Sequence, residues 1–137
     1  MDRRDLQALC RIRIREAKAL FNSGLNDGAY YLTGYAVECA LKACIAKETR
    51  RHDFPDKKRA EASHTHKLET LVALANLEEP RRDRVRTDEA FRRNWDVVAA
   101  WTEQSRYRRT SPENARALIE AANDRYHGII PWIRLHW

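Results

Sequence analysis

From Asp27 to about Arg50 the chain runs without a proline, and Ala29, Leu32, Ala36, Cys39, Ala40, Ala43 and Cys44 recur at helical spacing along one broad face. A strand rarely exceeds ten residues, so an apolar period sustained this long specifies a helix, and its broad face requires other elements packed around it. This is the expected central helix. Its alanines let neighbouring helices approach closely, and Glu38 precedes Lys42 by four positions, the favourable order for an ion pair on a helix.

The rest of the chain follows the same period. Leu6, Leu9, Cys10, Ala17, Leu20 and Phe21 predict a helix from about Asp5 to Phe21, stopped by Asn22-Ser23-Gly24. Residues 51–63 contain Pro55 and few periodic apolar positions and read as a polar connection. A short helix from about Thr65 to Asn76 places Leu68, Leu71, Val72 and Ala75 on one side, with Ser63 or Thr65 near its cap. After an arginine-rich stretch, Phe91, Trp95, Val98 and Thr102 mark an aromatic-rich helix from about Thr87, with Asp88 and Glu89 in its first turn. Ser111-Pro112-Glu113 opens the last helix with a capping serine, a proline at the first position and a glutamate suited to the dipole. Ala115, Leu118, Ile119, Ala122, Tyr126 and Ile129 form its expected buried face.

Only four glycines and four prolines occur in 137 residues, too few for the frequent turns of a sandwich or barrel. The expectation is one all-α domain over residues 1–137, an up-and-down antiparallel bundle of four long helices plus one short one. A solenoid would need a repeat, and none is visible.

The formal charge of +6 creates a field that attracts phosphate-bearing partners, although an arginine-rich surface can also arise from genomic base composition. Cys10, Cys39 and Cys44 are odd in number, lack C-x-x-C spacing and lie in apolar periodic stretches, so they read as reduced, buried thiols. No secretory h-region follows Met1 and no apolar run is long enough for a span, which predicts a cytoplasmic protein with no membrane association. Neither a glycine-rich phosphate loop nor an H-E-x-x-H motif is present; no metal site and no cofactor are expected.

The run Gly28-Ala29-Tyr30-Tyr31-Leu32-Thr33-Gly34-Tyr35-Ala36-Val37-Glu38-Cys39-Ala40-Leu41-Lys42-Ala43 closely resembles the second helix of bacterial and archaeal HEPN (higher eukaryotes and prokaryotes nucleotide-binding) domains. Two further stretches follow in the family's order: Thr65-His66-Lys67-Leu68-Glu69-Thr70-Leu71, and Trp95 through Trp101 to Ser105-Arg106-Tyr107. The resemblance implies a helical bundle, commonly homodimeric, with a cleft near the dimer interface. It also implies a toxin-antitoxin type pair acting on RNA or nucleotides, in which this chain would be a metal-independent ribonuclease and a minimal nucleotidyltransferase its antitoxin. The alternatives are a non-catalytic nucleotide-binding or adaptor subunit of such a transferase and a structural dimer module. Ribonuclease members carry an arginine and a histidine with four to six residues between them. Here no histidine follows Arg106 at that spacing, and the matching pairs are Arg59 with His64 and Arg59 with His66, ahead of the aromatic helix.

Metal-free RNA cleavage needs a base at the 2′-hydroxyl, an acid at the leaving oxygen and a cation for the phosphorane charge. His64 or His66 can supply the proton transfers, and Arg59, Arg106 or Arg108 the cation. Tyr107, between Arg106 and Arg108, can stack on a base. The plainer readings are a backbone-bonded His66, a salt bridge from Arg106 to Glu38, and packing or dimer contacts for Tyr30, Tyr31 and Tyr35. A homodimer is expected also because Trp95, Trp101, Trp132 and Trp137 carry more apolar surface than one small bundle readily covers.

Overall fold

The computed structural model describes residues 1–51 and 57–137, and every assigned element among them is helical. The elements are α1 (Arg3–Asn22), α2 (Asn26–Arg51), α3 (Lys57–Ala62), α4 (Leu68–Leu74), α5 (Glu78–Thr87), α6 (Glu89–Ala99), the 3₁₀ turn η1 (Glu103–Tyr107), α7 (Pro112–Asn123) and α8 (Ile129–Arg134). No helix among the described residues is long and apolar enough to cross a membrane.

Local chemistry sets the boundaries. Asp2 and Asp5 form a reciprocal cap on α1, with Asp5 N donating to Asp2 Oδ1 at 2.9 Å and Asp2 N to Asp5 Oδ2 at 3.0 Å. Gly24, at φ 77°, turns the chain out of α1 while Leu25 N donates to Leu20 O at 2.8 Å. Asp88 caps α6 through Phe91 N, and Ser111 caps α7 through Asn114 N with Pro112 in the first turn.

α2 packs against α1, α4, η1, α7 and α8. Residues 36–41 are consecutively buried, so in this stretch every face of the helix is covered. Against it lie Leu68, Leu71 and Val72 of α4, Leu118, Ala121 and Ala122 of α7, and Ile129, Ile130 and Ile133 of α8. Phe91 of α6 meets Trp132 of α8 edge to face, with ring centroids 5.3 Å apart.

Four sequence expectations change. The part of the 51–63 connection from 57 onward holds α3; residues 52–56 lie outside the described residues. The arginine-rich stretch is α5, which has no fully buried residue and therefore no apolar period to reveal it. Its support is ionic: Arg82 pairs with Glu79 and Arg86 with Asp83, with acids in the first turn and arginines in the last. α7 ends at Asn123, which leaves Tyr126 69% exposed rather than on a buried face. Finally, Trp95, Trp101 and Trp132 are buried within one chain, so they do not provide the surplus apolar surface from which a homodimer was expected.

The tightest interhelical fit is at Gly34. A Cβ there would fall inside the Trp101 indole, so only glycine lets the ring lie on α2. Gly34→Ala is expected to destabilise the protein by about 3 kcal/mol through forced displacement of that ring. Urea unfolding measures the loss, and near-ultraviolet circular dichroism should report the altered tryptophan environment.

Candidate functional site

Glu38 is 1% exposed in the middle of the fully buried stretch of α2. A buried carboxylate without partners is strongly unfavourable, so its neighbours matter. Oε1 accepts a hydrogen bond from Lys42 Nζ at 2.8 Å and faces His66 Nδ1 at 2.9 Å. Oε2 is buried and has no hydrogen-bond partner. The other ring nitrogen of His66, Nε2, lies 3.3 Å from Glu103 Oε2. The first contact is a hydrogen bond only when Nδ1 carries a proton, because a carboxylate only accepts, and the second is an ion pair only when the ring is charged.

His66 occupies the joint between α3 and α4. His64 N donates to Glu61 O at 3.2 Å and Thr65 N to Ala62 O at 3.3 Å, closing α3; Thr65 Oγ1 then accepts from Lys67 N at 3.2 Å. Lys67, not Ser63 or Thr65, is the residue at the N-cap of α4, and its side chain makes no capping bond. Buried Leu68 and Leu71 hold the joint against α2, which brings His66 to Glu38 across 28 positions of sequence. With its imidazole side chain 45% exposed, His66 is backed by a buried carboxylate and reachable from solvent, the arrangement that fixes a ring for proton transfer.

Beside it is a groove of about 800 Å³ whose walls include Arg3, Tyr35, Glu38, Lys42, Arg59 and His64, a size within the usual range for small-ligand pockets. His64 and Glu38 line this groove, and His66 meets Glu38 beside it. Arg59 lines the groove too, but its Nη2 donates to Leu74 O and its Nε is buried without a partner. Its guanidinium therefore braces α3 against the end of α4.

η1 places the second set of residues. Trp101 and Ser105 are buried and root the turn, while Arg106, Tyr107 and Arg108 are exposed, Tyr107 to 72%. The Arg106 guanidinium lies 4.8 Å from the centre of the Tyr107 ring. Proximity to Tyr107 and a bond to Tyr31 raise its already high pKa. Arg106 does not pair with Glu38, whose partners are Lys42 and His66. Glu103 and Tyr107 bound the same turn, which at about 2 Å rise per residue puts them roughly 8 Å apart along its axis. Tyr31 stacks on Tyr35 at 6.3 Å and tilts against Trp101 at 6.1 Å, so these tyrosines do pack within the chain.

In the sequence Glu38 stood out only as a partner for Lys42 or Arg106 and not as the group behind His66; Glu103, in an ordinary polar stretch, gave no signal. Among the described residues no three His, Cys, Asp or Glu side chains are placed to hold a metal ion. The three cysteines are free and buried, and burial pushes Cys10 and Cys44 up to about 12 and Cys39 to about 11, which keeps them protonated and unreactive.

A second histidine–carboxylate pair is structural. His127 Nδ1 lies 2.8 Å from Asp88 Oδ2, Arg84 Nε donates to the same oxygen at 3.0 Å, and Phe91 N donates to Oδ1. The His127 bond, followed by those from Phe91 and Arg84, holds the Asp88 carboxyl well below the usual aspartate range against the opposing effect of burial. A depressed native value means the unfolded chain binds the proton more readily. The contribution is therefore complete above about pH 4, the unfolded aspartate value, and is lost as pH falls from there through the native value. Asp88→Asn, which can still cap, should flatten the acid limb of a stability-against-pH curve; Asp88→Ala should lose about 1 kcal/mol more at neutral pH by removing the cap. No protein-family model matches this chain, and no curated protein or solved structure shows significant similarity to it.

Proposed function

We propose that the chain is a HEPN-type protein that binds RNA at η1 and cleaves it without a metal, with His66 as the proton-transferring group. The observation that carries this reading is the half-exposed His66 fixed by buried Glu38, one side chain away from the turn bearing Arg106 and Tyr107. In this reading Tyr107 stacks on a base, Arg106 and Arg108 hold phosphates, and His64 is available as the second acid or base. Arg59 acts by bracing the joint that presents His66. The up-and-down antiparallel bundle and the cytoplasmic setting, read from the sequence pattern, and the homodimer and pairing with a minimal nucleotidyltransferase as antitoxin, implied by the sequence resemblance, belong to this proposal.

A non-catalytic nucleotide-binding or adaptor role is the second reading, favoured by the engagement of Arg59 with Leu74. Cleavage of a labelled RNA in the presence of a chelator separates the two. Wild type should cut, and His66→Gln should lower the rate by about 10²-fold or more. Wild type that binds RNA without cutting it selects the adaptor reading.

Binding provides a further test. Replacing Arg106 and Arg108 together by alanine should weaken RNA binding and reduce the slope of log affinity against log salt by about 2, with little change in stability. An unchanged slope removes η1 from the interface. Sedimentation at tens of micromolar should give the dimer mass; a monomer would exclude any cleft built from two copies.

A further inference from the structure

We infer that Glu103 occupies the position of an RNA phosphate on His66, so that the chain's own carboxylate competes with the substrate for the imidazole. The inference rests on the RNA-binding reading and adds its regulation.

Four charged or chargeable groups meet here: Glu38 and Lys42 of α2, His66 at the α3–α4 joint and Glu103 of η1. With His66 protonated, two carboxylates balance two cations. The carboxylates are not equivalent, however. Glu38 is sealed in the core and accepts from both Lys42 and His66, whereas Glu103 has 34% of its side chain exposed and meets His66 at a looser 3.3 Å. It sits at the start of a five-residue turn rather than in a long helix, so a side-chain rotation can withdraw it. An anionic phosphate oxygen arriving at Nε2 would face the Glu103 carboxylate; exchanging one anion for the other keeps the cluster neutral and redirects the Nε2 proton from Glu103 to the phosphate. Glu103 thus holds His66 closed until a phosphate of RNA bound on Arg106 and Tyr107 replaces it.

The test is fluorescence anisotropy with a labelled single-stranded RNA decamer at 0.15 M salt, where charges beyond about 8 Å are screened. Displacing a half-exposed ion pair is a modest cost, so Glu103→Gln should bind about three- to fivefold tighter than wild type. Glu120→Gln, the same charge change on the exposed face of α7, should leave affinity unchanged. In a His66→Gln background the gain from Glu103→Gln should vanish, a coupling that a general change in net charge would not produce. Thermal melts accompany each variant, and Glu103→Ala replaces Glu103→Gln if the latter does not fold. If wild type binds and the Glu103 variants bind no better, or if the gain survives without His66, the competitor role is wrong while RNA binding stands. If neither wild type nor the Glu103 variants bind, both the competitor role and the RNA reading fall.

Discussion

A carboxylate in the centre of the longest helix constrains everything around it. Glu38 lies where its neighbours Ala36, Val37, Ala40 and Leu41 are fully buried, and an apolar residue there would pack at no electrostatic cost. Lys42, four residues on, reaches it from the same helix, with 23% of its side chain still exposed to water. The second partner must come from elsewhere in the chain, and His66 supplies it. Placing that imidazole beside Oε1 fixes where α3 must end, where α4 must begin and how the joint between them docks on α2. The unpartnered Oε2 shows that the arrangement is not the best one for stability alone. A group kept at such a cost is the usual mark of a site rather than of a core.

The contrast with Asp88 sharpens this. Both carboxylates hold a histidine through Nδ1, at 2.9 Å and 2.8 Å. Asp88, though, also caps α6 and accepts from Arg84, so both its oxygens are used, and Arg84 reaches on to Tyr126 O while Asn94 takes His127 O. That network joins α5 and α6 to the segment between α7 and α8 and explains its own presence. Glu38 also seats a joint, that between α3 and α4, but it caps no helix and leaves one oxygen without a partner. The same pair of residue types is a brace in one place and, on the proposed reading, a proton-transfer arrangement in the other, and the neighbours make the difference.

Helical periodicity revealed the elements that bury an apolar stripe. α1, α2, α6 and α7, with the short α4, stand close to where Leu9, Ala36, Phe91, Leu118 and Leu71 imply. It could not reveal α5, whose stability is ionic, or α8, whose Ile129, Ile130, Trp132 and Ile133 are too few to establish a period. The tryptophans misled for a related reason: sequence shows how much apolar surface they carry but not that Gly34 lets Trp101 lie flat on α2. In the site, His64, His66, Arg106, Tyr107 and Arg108 were legible as residue types able to act on phosphates. Their grouping was not, because Glu103 joins His66 to η1 across 37 positions and no spacing rule reaches that far.

That contact bears on the point at which the chain departs from the family it resembles. A histidine within a few residues of Arg106 would share its turn; here no histidine follows it at that spacing. Yet chemistry depends on distance in space rather than along the chain, and the fold places His66 against the other end of η1. On the proposed reading, an arginine–histidine pair assembled in this way has its two halves on separate elements, the α3–α4 joint and the 3₁₀ turn. A local motif holds both groups in one rigid piece, but here their separation depends on how those two elements dock on α2. Gly34, which seats Trp101 at the root of η1, and Glu38, which seats His66, lie one helical turn apart on α2. On the proposed reading, the alignment that a short sequence motif would supply is supplied instead by that single turn of the central helix.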